Sequence, residues 1–156
     1  MNIVAKTALA ALALDQISKI AVVFGLGLRD RVALDVLPPY LNFRMAWNQG
    51  VNFGLLANDA AVSRWLLVAV ALAIVVWVWV WIRKDGHSRA ARVSGGLLIG
   101  GALGNVIDRV AYGAVADFLN MSCCGLRNPF SFNVADVAVF LGAVGLVLLT
   151  GRQKTP

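Results

Sequence analysis

Trp65-Leu66-Leu67-Val68-Ala69-Val70-Ala71-Leu72-Ala73-Ile74-Val75-Val76-Trp77-Val78-Trp79-Val80-Trp81-Ile82, followed by Arg83-Lys84, is the stretch that decides the fold. Up to Ile82 it carries no charge, and its length approaches the roughly 20 apolar residues that cross a bilayer core as a helix. Trp77, Trp79 and Trp81, just before the basic pair, have the spacing and chemistry of an aromatic belt at a membrane interface.

Working outward, three further apolar segments cover about residues 3–24, 93–112 and 132–149, beside the one at 65–82. The chain is 60% hydrophobic and 14% charged, against roughly half apolar and a quarter charged in soluble domains. The expectation is an all-α membrane protein: a four-transmembrane-helix bundle forming one domain over residues 1–156. The first segment resembles a signal peptide, but Asp15-Gln16-Ile17-Ser18-Lys19 interrupts it and no small-residue cleavage pattern follows, so it reads as a retained span. The net charge of +6 lacks a basic stripe with interleaved aromatics, which argues against a nucleic-acid partner.

The basic residues report topology instead. The connector 83–92 holds Arg83, Lys84, Arg89 and Arg92, whereas connector 113–131 holds only Arg127, so the first is assigned to the cytoplasm. Lys6, Arg152 and Lys154 then place both termini there too. The connector 25–63 falls outside, and residues 50–59 within it are expected to be mobile, admitting a substrate. In the same connector Leu41, Phe43, Met45 and Trp47 alternate with Asn42, Arg44, Ala46 and Asn48, the period of a half-buried strand. Residues 32–37 are its expected partner, ended by Pro38-Pro39, and Asn48-Gln49-Gly50 is expected to terminate it. Together they predict a small outer β-strand cradle over about residues 31–54. In the third span Gly96, Gly100 and Gly104 recur every four residues, with Gly95 and Gly101 alongside, a ridge that lets helices approach closely.

Ionisable groups inside a span are costly and count as functional candidates. At 1.5 Å per residue, Asp15, Asn105 and Asp136 lie roughly 6–13 Å below the outer ends of their spans, so helices one, three and four pool polar groups in one half of the bilayer. Asp15 with Lys19, Asn105 with Arg109, and Asn133 with Asp136 are spaced to share helix faces. For Asp15 and Lys19 a neutralising salt bridge is at least as good a reading as a chemical role; for Asp108 and Arg109 both readings stand.

Asp117 and Asp136 have no basic partner in their own segments. Two carboxylates brought together at low dielectric tend to share one proton, giving an acid and a base that can activate water against a peptide carbonyl. His87 lies in the basic loop, no HExxH or GxSxG pattern occurs, and Ser18 and Lys19 diverge around the helix, which argues against zinc and serine chemistries. A proton-coupled transporter would spread polar groups across the whole depth, and a non-catalytic assembly subunit would use the aspartates only to pair Lys19 and Arg109.

Five motifs in register now carry a resemblance: Asp15-Gln16-Ile17-Ser18-Lys19; Asn48-Gln49-Gly50-Val51-Asn52-Phe53-Gly54; Gly100-Gly101-Ala102-Leu103-Gly104-Asn105-Val106-Ile107-Asp108-Arg109; Val115-Ala116-Asp117-Phe118; and Phe132-Asn133-Val134-Ala135-Asp136. With them the chain resembles the lipoprotein signal peptidase, or signal peptidase II, family of bacterial inner membranes. The resemblance implies an aspartic endopeptidase without cofactor or metal, cutting a lipid-modified prolipoprotein before its diacylglyceryl cysteine. It implies catalytic roles for Asp117 and Asp136, and supporting or substrate-binding roles for Asn48, Gly50, Asn105, Asp108, Arg109, Asn133, Asp15 and Lys19. The implied partners are substrate and membrane lipid, with the chain a monomer and its site toward the periplasm. Two departures stand out: Asn52, where many members carry a small residue, and the neighbours Cys123 and Cys124, which are not expected to bridge each other because adjacent cysteines close a strained ring.

Overall fold

A computed structural model of the chain describes residues 2–50, 60–84, 86–125 and 128–150. The expectations for Asn52, Arg127, Arg152, Lys154 and the loop 51–59 lie outside the described residues.

Helix α1, Ile3–Lys19, opens on Asn2, whose side chain accepts the Ala5 N–H at 2.9 Å, and it runs on as a π-helical turn, Ile20–Gly25. A four-residue helix, α2, Leu28–Arg31, follows. The long helices α3, Ala60–Ile82, and α4, Arg89–Tyr112, come next, and α5, Val134–Thr150, closes the chain. Ser88 caps α4 by accepting the Ala91 N–H, and Gly113, at φ 82°, ends it in the left-handed conformation a side chain disfavours. Both α3 and α4 begin a few residues before the apolar segments expected at 65–82 and 93–112, because polar residues at a helix start cost nothing where water remains.

Three helices, counted over the described residues, are long and apolar enough to cross a membrane: Ile3–Gly25, Ala61–Ile82 and Arg89–Tyr112. The fourth, Val134–Thr150, is equally apolar but has 17 residues. Their outward surfaces carry Leu14, Ile17, Trp65, Trp77, Phe140 and Val147, all exposed. A surface this greasy suits lipid, not water.

Helix α4 is the hub, packed against α1, α3 and α5. Its glycine ridge makes this possible on three sides. A methyl group added at Gly95 would lie 3.0 Å from Ile82 of α3, at Gly96 2.6 Å from Thr7 of α1, and at Gly101 2.5 Å from the Ala135 carbonyl of α5. The packing expected of these small residues is therefore present. At one end of the bundle the start of α1, the end of α3 and the start of α4 converge around Val4, Ile82 and Arg92. At the other end, late α1 and α4 meet early α5.

That second end carries a three-stranded antiparallel sheet in the order β1-β2-β3, with β1 Ala33–Leu37, β2 Leu41–Asn48 and β3 Val115–Asn120. The hairpin β1-β2 and its termination at Asn48 match the expectation, apart from Val32, whose φ of 64° keeps it out of β1. Strand β2 departs from simple alternation. Its register shifts between Phe43 and Ala46, so Phe43 and Met45 pack inward while Trp47 stays exposed against Tyr112, and Asn42 is buried. Strand β3 was not foreseen. It docks through Ala116 and Phe118 on Val23 and Leu28, with Phe118 edge-on to Phe43 at 5.9 Å, and so fixes the sheet to the end of α1.

Candidate active site

Helix α5 begins with a reciprocal cap. The Asn133 side chain accepts the Asp136 N–H at 2.8 Å, and the Asp136 carboxylate accepts the Asn133 N–H at 3.2 Å. This is the capping-box arrangement with aspartate in the third position, and it fixes the Asp136 carboxylate at the positive end of a helix. Asn105, on α4, donates its amide to the other oxygen of Asp136 at 2.9 Å.

Asp117 comes from a different element, the middle of β3, opposite Ala46 of β2. It is buried and takes amide donors from both sides, Asn133 at 2.6 Å and Asn48 at 3.0 Å. Asn48 is aimed by its own turn, since its carbonyl oxygen accepts the Gly50 N–H at 2.9 Å. Gly50 has φ 93°, and a Cβ there would collide with Leu67. Asn133, fully buried, thus holds both carboxylates, one through its side chain and one through its backbone. Burial pushes the Asp117 carboxyl up to about 6, the hydrogen bond from Asn48 opposes it, and the charge of Asp136 reinforces it. Among the described residues neither aspartate has an ion pair, so both are held by neutral amides.

Beneath this pair lies a second polar layer. Lys19 reaches Asp15 and Asp108 at 2.8 Å each, and its Nζ stands 3.4 Å from Asn105 Oδ1. Asp15 also accepts the Ala135 N–H at 2.8 Å, and Asp108 accepts the Ala116 N–H at 3.0 Å. One buried cation between two carboxylates leaves a surplus negative charge, and these backbone donors meet it. They also tie β3 and α5 to α1 and α4, so the elements bearing Asp117 and Asp136 are held from below. The approach is close: a methyl group at Gly104 would lie 2.5 Å from Asp15 Oδ2.

Over residues 7–151 the sequence matches the family model described as Signal peptidase (SPase) II. The chain belongs to the signal peptidase II family. It is 49% identical over 142 residues to the lipoprotein signal peptidase of Methylorubrum extorquens (strain PA1), covering 90% of this chain and 80% of that one. The lipoprotein signal peptidase of Burkholderia mallei (strain SAVP1) is 38% identical over 135 residues, 85% of this chain and 78% of that one. Among solved structures, a bacterial membrane enzyme determined by the in meso method at 1.9 Å superposes with a TM-score of 0.78 at 26% identity, covering 95% of this chain and 92% of that one. The chain is therefore a peptidase-family membrane protein.

In this signal peptidase II chain the fold brings together Asp117, Asp136, Asn48, Asn105 and Asn133 around one point, with Asp15, Lys19 and Asp108 beneath. One of the pairings differs from those weighed on sequence. Asp108 pairs with Lys19 across the α1–α4 interface, and not with Arg109. Arg109 donates only to the Asn105 carbonyl at 3.3 Å, its Nε is buried without a partner among the described residues, and its charge is within reach of Asp117 and Asp136. Gln16 was missed as a contributor: its amide bridges Asp15 and Asp108, at 3.1 Å each. Its place beside Asp15 in the first-span motif was the available signal. Ser18, by contrast, bonds its own helix, at the Asp15 carbonyl. Cys123 and Cys124 are free thiols. No group of three or more His, Cys, Asp or Glu side chains among the described residues is positioned to hold a metal ion.

Proposed function

We propose that this chain is an intramembrane aspartic endopeptidase that removes the signal peptide from diacylglyceryl-modified prolipoproteins, cutting before the lipidated cysteine. The observation that carries the reading is the attachment of the Asp117 and Asp136 carboxylates to one buried residue, Asn133, through its side chain and its backbone respectively, with neutral amides as their hydrogen-bond donors among the described residues. Negative charge is favoured at the amino end of α5, which suits Asp136 as the base. Burial on β3 suits Asp117 as the proton-bearing acid, and an arriving substrate that excludes water pushes it further that way. Asp136 takes a proton from water as the water oxygen bonds to the peptide carbonyl carbon. Asp117 then gives its proton to the amide nitrogen as the C–N bond breaks.

The reading includes four membrane spans, with α5 as the fourth. At about 26 Å it is slightly short of a ~30 Å core, a mismatch that local thinning of the bilayer accommodates. It also includes cytoplasmic termini in a bacterial inner membrane, a site facing the periplasm, and action as a monomer. Helices α1, α3, α4 and α5 alternate in direction, and among the described residues the buried charges Asp15, Lys19, Asp108 and Asp117 gather at one end, which favours a one-sided site over a transmembrane proton path. Separate Asp117→Asn and Asp136→Asn variants, assayed on a lipid-modified precursor in detergent, test it. Each should lose about 10²–10⁴-fold or more of the cleavage rate. Wild-type cleavage by either folded variant sinks the proposal.

A further inference from the structure

At the end of the bundle opposite the aspartates, two cavities adjoin where α1, α3 and α4 converge. The larger, of about 420 Å³, is an apolar groove between α1 and α3 floored by α4, lined by Ala5, Leu9, Val75, Trp79, Ile99 and Leu103. The smaller, of about 60 Å³, follows directly, since Asn2, Ile3 and Val4 continue the α1 wall beyond Ala5, and it is closed by Ile82, Arg83 and Arg92. Arg83 links the two, its guanidinium lying 5.2 Å over the Trp79 ring. Arg92 faces the smaller cavity with its Nε buried and without a hydrogen-bond partner among the described residues. Neither cavity contains any residue of the catalytic proposal.

We propose that these cavities together bind one anionic phospholipid of the surrounding bilayer, its phosphate on Arg83 and Arg92 and an acyl chain in the groove. The chemistry of each compartment selects its part of the ligand. The groove walls are entirely apolar, and on α1 alone, from Ala5 to Leu12, they run about 10 Å along the helix axis, a length suited to a chain and not to a compact solute. The groove opens onto the lipid-facing surface, so an acyl chain enters without crossing water. Its head end is lined by Arg83 and Arg92, and the loop that carries them also holds Lys84 and Arg89. Asp85 is the only acidic residue of that loop, and it lies outside the described residues. Basic pockets between membrane helices on the cytoplasmic side are where anionic headgroups are held.

The same charges disfavour the other occupants. A second copy of the chain would bring an identical basic rim, and a signal peptide would bring its positively charged leading segment. Assignment of the lipid to the cytoplasmic leaflet rests on the topology proposed above; the site itself does not.

Native mass spectrometry of the purified full-length chain in neutral detergent tests this, with phosphatidylglycerol, phosphatidylcholine and inorganic phosphate as probes. One phosphatidylglycerol should bind at least tenfold more tightly than phosphatidylcholine. Arg83→Gln/Arg92→Gln should abolish that preference, Ala5→Trp should weaken both lipids by filling the groove, and inorganic phosphate alone should give no adduct. Cleavage of a lipidated precursor by these variants checks that they fold, and Arg83→Gln alone, at an exposed position, should reduce the preference if the double variant does not fold. Equal binding of the two lipids, a preference that survives the arginine substitutions, an adduct with inorganic phosphate, or a protein dimer in place of the lipid adduct would each overturn the proposal. None of these results bears on cleavage by the aspartate pair.

Discussion

Single side chains in this site do different kinds of work, and titration separates them. Asp117, pushed up to about 6 chiefly by burial, should give kcat/KM of the free protein an alkaline limb near pH 6, because raising the pH through that value removes the proton it donates. The hydrogen bond from Asn48 stabilises the ionised carboxylate, so Asn48→Ala should move the limb to higher pH. A limb that stays in place or moves down would remove Asn48 from contact with the reacting pair. Lys19 works differently. It stands between two buried carboxylates, and Lys19→Met would leave both without their cation, at a cost of about 3–5 kcal/mol in stability. Thermal unfolding in detergent reads that loss directly, whereas Asp117→Asn, which removes no cation, should unfold close to wild type.

At the scale of elements, what the sequence disclosed depended on whether an element meets lipid. The four helices were legible because the membrane demands unbroken apolar length, and the hairpin β1-β2 because its turn residues punctuate it. Strand β3 was not, for it is buried along nearly its whole length and has no polar face to alternate with an apolar one. Asp117 was found by its charge and by the motif Val115-Ala116-Asp117-Phe118, and its element by nothing. The cap of α5 was half visible: the spacing of Asn133 and Asp136 suggested a shared helix face, yet Asn133 stands outside the helix and bonds Asp136 as its cap. Gln16, one residue from Asp15, points away from it on a regular helix, and its amide reaches back to bridge Asp15 and Asp108. The contact between β3 and β2 makes a prediction of its own. Phe118→Ala removes a buried ring packed on Phe43, Val23 and Leu28, costing about 3–5 kcal/mol, and frees the strand that carries Asp117. Cleavage should fall in the folded fraction as well as in yield; unchanged activity per folded molecule would mean that the helices alone position the aspartate.

The whole molecule is polarised along its long axis, with the loop residues Arg83, Lys84, Arg89 and Arg92 and the tryptophans Trp77, Trp79 and Trp81 at one end and the buried acids and the sheet at the other. Trp77 stacks on Trp81 at 5.9 Å, and Trp81 meets His87, so the aromatic belt sits where the basic loop begins. If the basic end is cytoplasmic, the exposed thiols Cys123 and Cys124 beside β3 are on the periplasmic side. A membrane-impermeant thiol reagent should therefore label them in intact spheroplasts. In a background carrying Cys123→Ser and Cys124→Ser, a new thiol from Ser88→Cys, at the exposed cap of α4, should label only after permeabilisation. The two positions lie at opposite ends of the bundle, so one orientation fixes both outcomes. Labelling of Ser88→Cys in intact spheroplasts together with protection of Cys123 and Cys124 would invert the molecule and put the aspartates at the cytoplasmic face. Labelling of both without permeabilisation would mean that the basic and acidic ends do not lie across a membrane from each other, and the spanning arrangement of α1, α3, α4 and α5 would have to be abandoned.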